Sequence, residues 1–451
     1  VNGLPRSRWF LRMTSLVASV AIVVTACSSA ASPSPATTAV STSQATTATS
    51  SQAAPAATSE KELEIISPWT SGGENAALNA LVAVYQGQYP GVQFVNAAVG
   101  GGGNTAAQPM TLTRLQAGNP PDIWQGHGGA DLLTNYVNPG YAKSLNDLWT
   151  SEGWYNVAPK ALVSVLTKGS NVYAVPFGIH RVNMLWYNKK VLDAQGITFS
   201  DTMTLDQFFG YADKLKSAGI TPLCLGDKDP WTSAVIFEDS LLANLSANQY
   251  SGLWTGATPM TDPAVKTATQ TYAKYLGYIN SDHSALTWDQ ATQKVMEGKC
   301  AATLMGDWAY GEFHNATPAL TDNVDFGWVP APGSGAMFSV NNDIAITATN
   351  VADPTNAMNF LKVVGSVPGQ IAFNKLKGAI PWRTDVDPSV FPPYQQYSMA
   401  AYKSLTLVSS VSQGLAAPPA FVQALNDAVT QFGVSKNVDA FIQALAAAPL
   451  K

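Results

Sequence analysis

The stretch LEIISPWTSGGENAALNALVAVYQGQYPGVQFVNAAV, residues 63–99, decides the fold. LEIIS is short, apolar and β-branched, which reads as a strand. Residues 74–89 then repeat Ala77, Leu78, Leu81, Val82 and Tyr85 at helical spacing, and VQFVNAAV returns to strand. A strand, a helix and a second strand in succession imply an α/β architecture, with a parallel-rich sheet covered by helices on both faces.

Outward from this unit the rhythm continues. A helix is expected over 105–117, and PPDIWQG is a strand introduced by a proline stop. A second α/β region begins after VYAVPFGI and NMLWYN. Its helix over 205–217 opens with Thr204 and Gln207, a capping-box spacing, and a helix over 287–299 opens likewise with Thr287 and Gln290. Amphipathic helices are expected over 231–245 and 262–279. Strands follow at CAATLMG, DFGWVP and DIAITA, then a helix over 355–364. VGGGGN (residues 99–104) lacks the Lys-Ser/Thr of a phosphate loop, and so reads as a flexible strand-to-helix connection at the sheet edge where α/β proteins bind ligands.

The amino-terminal segment has a different character. Arg6, Arg8 and Arg12 precede a short apolar core. That core falls short of the roughly 20 residues a membrane span needs, so residues 1–26 read as a secretory signal. Val24-Thr25-Ala26-Cys27 resembles a lipobox, which makes Cys27 the expected lipidation site. Between Cys27 and residue 60 Ser, Ala, Thr, Pro and Gln predominate, too little apolar surface to offset the entropy of ordering. This is the composition of a tether with a reach on the order of 30 Å. The expected location is therefore the outer face of the plasma membrane.

Removal of residues 1–26 takes three of the 25 basic residues and no acid, leaving 22 against 30 acidic residues, a formal charge of −8. No basic stripe remains, which argues against nucleic acid as a partner. Nearly 400 residues follow the tether, enough for two sizeable domains. Cys224 and Cys300 both fall in stretches that read as buried strand, and their spacing leaves open whether they pair. The four histidines, His127, His180, His283 and His314, form no metal-ligand pattern, so no metal and no cofactor are expected.

Polar residues gather beside tryptophans: Trp69 and Glu74 in SPWTSGGE, Gln125 and His127 in IWQGHGG, Trp231 in DPWTSA, Trp288 in LTWDQA, Asp307 and Trp308 in MGDWA. Asn341 and Asp343 stand in SVNNDIA, and Lys377 in KLKGAIP. A sugar needs this chemistry, because its C–H face stacks on an aromatic ring while each hydroxyl wants both a donor and an acceptor. Each residue also has a plainer role: indoles fill cores, and Glu74 suits a helix start.

Eight motifs in order, WTSGGE, GGGGN, PPDIWQGHGG, VPFGIHRVNMLWYN, LTWDQA, MGDWA, DFGWVPAPG and LKGAIPWRTDVDP, resemble the glucose-binding proteins of bacterial ABC importers. These belong to the extracellular solute-binding class that includes the maltose binders. The resemblance runs from about residue 63 to about residue 432. It implies a two-lobed, periplasmic-binding-protein-like (class II) fold with a hinged cleft, no catalysis, and a monosaccharide, glucose or a related hexose, as ligand. An ABC permease would be the partner and the protein a monomer. By motif it implies Trp69, Glu74, Gln125, His127, Trp308, Asn341, Asp343 and Lys377 as sugar-binding residues, with Asp307 and Trp288 as further candidates. The family's late histidine is replaced by Gln413, whose amide can still donate and accept and which is a further sugar-binding candidate, and Pro68 stands where a second tryptophan is usual. These departures leave galactose, mannose or a short oligosaccharide open. The expected lobes are 61–178 plus 335–381 and 179–334 plus 382–451, flexing near 175–178, 331–333 and 381–383. A lipid-anchored carbohydrate sensor or adhesin, or a secreted glycosidase, are the rival readings.

Overall fold

The computed structural model describes residues 62–352 and 354–450. The signal segment, Cys27 and the tether lie outside the described residues.

Among the described residues, twelve strands form two main sheets and one small hairpin. They are β1 (Glu62–Ile66), β2 (Gln93–Asn96), β3 (Ile123–His127), β4 (Thr167–Lys168), β5 (Asn171–Val172) and β6 (Val175–Arg181). Then come β7 (Met184–Asn188), β8 (Thr221–Leu223), β9 (Cys300–Leu304), β10 (Phe326–Pro330), β11 (Met337–Ile346) and β12 (Thr406–Ser409). The first sheet runs β12-β11-β3-β1-β2 with β6 on the other side of β11; the second runs β10-β7-β9-β8. Each sheet has its own apolar core. Leu63, Ile65, Trp124, Phe177, Ile344 and Trp382 pack in the first, and Leu185, Phe208, Leu241, Tyr272, Leu304 and Phe421 in the second. The molecule is thus two-lobed.

The opening stretch folds as its periodicity demands. Leu63, Ile65 and Ile66 are buried in β1, and Ala77, Leu78, Leu81, Val82 and Tyr85 turn inward on the helix Gly72–Gln88. Burial of each large apolar side chain contributes about 1.5–3 kcal/mol. The helix Leu205–Ser217 forms where expected. Thr204 Oγ1 accepts from Gln207 N at 3.2 Å, and Gln207 Oε1 accepts from Thr204 N at 3.0 Å.

The sheets are mixed, which corrects the parallel-rich expectation. β1 pairs in parallel with β2 and β3, but β11 runs antiparallel to both β3 and β6, and β7 antiparallel to β9 and β10. Side-chain periodicity records which face is buried and carries no strand direction. The pairing of Cys224 with Cys300 is resolved: they form a disulfide, with Cα atoms 5.6 Å apart.

Two short links carry the chain between sheets. Val182 and Asn183 join β6 to β7, and residues 331–336 join β10 to β11. Asn183 ties the links together: its Nδ2 donates to Ser334 Oγ at 2.9 Å and to Met337 O at 3.0 Å, while its Oδ1 accepts from Ser339 N at 3.0 Å. Ile179 and Ile380 exchange backbone hydrogen bonds, both 2.9 Å, so the segment before Pro381 also lies beside β6. The VPFG segment sits inside β6 rather than at a crossing.

Candidate functional site

Strand β11 organises the site. Along Met337–Val340 it pairs with β12, along Asp343–Ile346 with β3, and on its other side with β6. At the exchange of partners Asn341, Asn342 and Asp343 are buried. Alternation sends Asn341 and Asp343 to one face; both line a cavity, while Asn342 Oδ1 turns to accept from Gly128 N at 3.2 Å. The neighbouring β3 supplies Gln125 and His127 to the same face, again two residues apart.

The cavity is tight, with about 370 Å³ of empty space when its mouth is included. Trp69, Glu74, Gln125, His127, Trp288, Trp308, Asn341, Asp343, Lys377 and Gln413 all line it. Ten of the eleven residues proposed from sequence are therefore brought together. Asp307 is the exception. Its fully buried carboxylate sits behind the wall, bonded to His180 Nδ1 and accepting from Arg181 N at 2.8 Å.

Local sequence explains the placements. Glu74 lies in the first turn of Gly72–Gln88 and Lys377 ends the helix Val367–Lys377, positions that suit each charge to its helix dipole. Lys377 Nζ meets Glu74 Oε1 at 2.5 Å and Asp343 Oδ2 at 3.7 Å. It also stands 5.7 Å from the Trp69 ring and 5.9 Å from the Trp308 ring. Trp308 begins its helix just after Gly306, where a Cβ would lie 2.3 Å from the indole; the glycine of MGDWA makes room for the ring. Trp288 begins a helix capped by Thr287 and Gln290.

Charge within the site is balanced by pairing. Burial pushes the Glu74 carboxyl up, against the pull of Lys377. Burial would also raise Asp343, but His180 and Lys377 overcome it and hold that carboxyl well below the usual range. For Lys377 desolvation is outweighed by Glu74 and Asp343, and its pKa rises. Asp343 Oδ1 further accepts from Gln125 Nε2 at 3.0 Å and lies 3.5 Å from His127 Nε2.

Five cavity-lining residues were not among the proposed sugar-binding residues: Pro68, Gly102, Gly103, Asn104 and Trp231. The glycine loop is the reason. A Cβ on Gly102 would lie 2.8 Å from both Trp231 Cζ2 and Trp288 Cδ1, and one on Gly103, which has φ +63°, 2.9 Å from Trp231 Cγ. The GGGGN motif thus lets backbone from the first lobe lie against two indoles of the second. Asn104 follows in the left-handed region at φ +65°. The signal that marks it is a short polar residue closing a glycine run.

Five buried polar atoms on the lining residues meet no hydrogen-bond partner among the described residues: Asn104 Oδ1, Gln125 Oε1, Asn341 Oδ1, Trp231 Nε1 and Trp308 Nε1. Three accept and two donate. Native proteins leave few such groups unpaired without a reason. Among the described residues no group of His, Cys, Asp and Glu is arranged to hold a metal ion, and no helix is long and apolar enough to cross a membrane.

Comparison with known proteins places this geometry. An uncharacterized ABC transporter extracellular-binding protein of Pyrococcus horikoshii is 34% identical over 381 residues, covering 84% of this chain and 85% of that protein. A probable sugar-binding periplasmic protein of Mesorhizobium japonicum is 33% identical over 380 residues, covering 82% of this chain and 89% of that one. The solved structure of the bacterial solute receptor AcbH, which has an exclusive preference for β-D-galactopyranose, superposes with a TM-score of 0.75 at 17% identity. The superposition covers 85% of this chain and 97% of AcbH. The family of bacterial extracellular solute-binding proteins matches residues 69–371, and the chain belongs to it.

Proposed function

We propose that this protein captures a monosaccharide, glucose or a related hexose, between its lobes and delivers it to an ABC permease. The observation that carries the reading is the set of unpartnered polar atoms in a cavity walled by indoles. A ligand that satisfies them must donate to three amide oxygens, accept from two indole N–H groups, and present apolar faces to rings. A pyranose does all three. The M. japonicum relative, probably sugar-binding by its description, and AcbH support a carbohydrate ligand.

The mechanism is closure about the two links tied by Asn183. Cavity residues come from both sides: Glu74, Gln125, His127, Asn341, Asp343 and Lys377 from elements of the first sheet and its helices, and Trp231, Trp288 and Trp308 from helices of the second lobe. A ligand touching both favours the closed form by its differential affinity, and a few kcal/mol makes that form dominant. Lipidation at Cys27 would keep the protein at the membrane; Cys27→Ser should then release it into the medium.

Calorimetric titration of the mature protein with glucose, galactose, mannose, xylose and maltose tests the ligand class. One monosaccharide should give a clear heat of binding; silence for every sugar would refute the reading.

A further inference from the structure

His180 lies on β6, does not line the cavity, and is fully buried. Its Nδ1 is bonded to Asp307 Oδ1 and its Nε2 lies 3.0 Å from Asp343 Oδ2. With both carboxylates ionised they only accept, so each ring nitrogen donates and the ring is an imidazolium. The two acids it joins belong to different parts of the molecule. Asp343 is on β11 of the first sheet and lines the cavity. Asp307 follows β9 of the second sheet and directly precedes Trp308.

Asp307 is itself fixed to β6, since its N donates to Arg181 O at 3.0 Å and its Oδ2 accepts from Arg181 N at 2.8 Å. The imidazole also meets the Trp308 ring edge-on, with centroids 5.6 Å apart. A single buried cation therefore touches a cavity acid, the root of an indole, and the indole.

We propose that His180 is a positioning residue that couples the two halves of the site. As an imidazolium it holds Asp343 in the first lobe and, through Asp307, Trp308 in the second, so that hydrogen bonding and ring stacking of the ligand are set together. The role rests on the sugar-binding reading of the cavity. Burial disfavours the charged ring, but Asp307 and Asp343 overcome it and raise its pKa to about 9. Lys377 and Glu74 are the next charged groups along the chain of contacts. The cation persists through neutral pH and is lost as pH rises through about 9; its contribution to stability is complete below the ordinary histidine range.

The test combines two measurements on the full chain. Nitrogen NMR of the imidazole in the unmodified protein should show both nitrogens protonated at neutral pH, with His180 signals shifting when glucose, or whichever sugar titrates, is added. In His180→Gln the dissociation constant for that sugar should rise roughly tenfold, and should no longer weaken between about pH 8 and 10 as in the wild type. A neutral ring at pH 7, or ring signals indifferent to sugar, would overturn the assignment even if the variant fails to fold. So would an unchanged affinity and alkaline weakening in His180→Gln. If no sugar binds the wild type, the proposed function fails, while the ring's protonation is still decided by NMR.

Discussion

The backbone N–H of Gly73 donates to Glu312 Oε1 at 2.9 Å, joining the start of the helix Gly72–Gln88 to the helix Trp308–His314. One belongs to the first lobe and the other to the second, so the bond exists only while the lobes are together. Burial pushes the Glu312 carboxyl up to about 7; the Gly73 N–H opposes this, Glu74 and Asp289 reinforce it, and Lys377 opposes it. A group with a raised pKa favours its closed surroundings most when protonated, and loses that contribution as pH rises through the raised value. Sugar affinity should therefore be tighter near pH 5.5 than near pH 8. Glu312→Gln keeps an acceptor for Gly73 and should shrink the difference. Equal wild-type affinities at both pH values would contradict this linkage.

Trp308→Ala should weaken sugar binding by about 1–3 kcal/mol, from lost stacking and lost burial. The indole is only 5% exposed and its Nε1 meets no partner among the described residues, so a bound hydroxyl is its natural acceptor. Titration calorimetry reads the loss; undiminished affinity would remove Trp308 from the site.

Gly102→Ala places a methyl group against Trp231 and Trp288 at distances no real Cβ tolerates. The clash arises between lobes, so thermal stability of the ligand-free protein should change little while affinity falls. Small-angle scattering with saturating sugar should show a less compact variant. A variant as compact as wild type would mean that the loop yields without cost.

Lys377→Met strands Glu74 without its buried cation and leaves Asp343 with the His180 cation. Removing one member of a buried ion pair costs about 3–5 kcal/mol. Denaturant unfolding should report a loss of that order together with loss of binding. Stability within about 1 kcal/mol of wild type, the error of such extrapolations, would show the cluster relaxing around the gap.

Replacing Cys224 and Cys300 together by Ser opens a loop whose ends are 76 residues apart in sequence. The expected cost is about 2–5 kcal/mol. Neither cysteine lines the cavity, although both pack in the cluster that holds Trp186, Trp231 and Trp288, so stability should respond before specificity. An unchanged unfolding midpoint would contradict this.

Much of this was legible in the chain because local signals agreed with the tertiary structure. The helix Leu205–Ser217 announces itself with a capping box and with Phe208, Phe209, Ala212 and Leu215 on one face. Strand β11 was harder. Only DIAITA reads as strand, because Ser339, Asn341 and Asn342 interrupt the apolar run before it, yet the whole of Met337–Ile346 is extended. Its polar residues are affordable in the interior because partners arrive from Gln125, His180 and Gly128, distant in sequence. Strand β12, just four residues long, gives no periodic signal of its own. In the site, Asp307 and Trp308 are adjacent in sequence yet divide between the wall's back and its face, and no spacing rule separates them. His180 was noted only for what it does not ligate, since its two acids lie 127 and 163 residues away.

One strand serves as both connector and receptor. The start of β11 is grasped by Asn183, and a few residues on it presents Asn341 and Asp343. Under the proposed closure, retuning ligand preference at those two positions would disturb the axle as well. Trp288 rides instead on a helix start outside that strand, so a redesign of selectivity has its freest ground there.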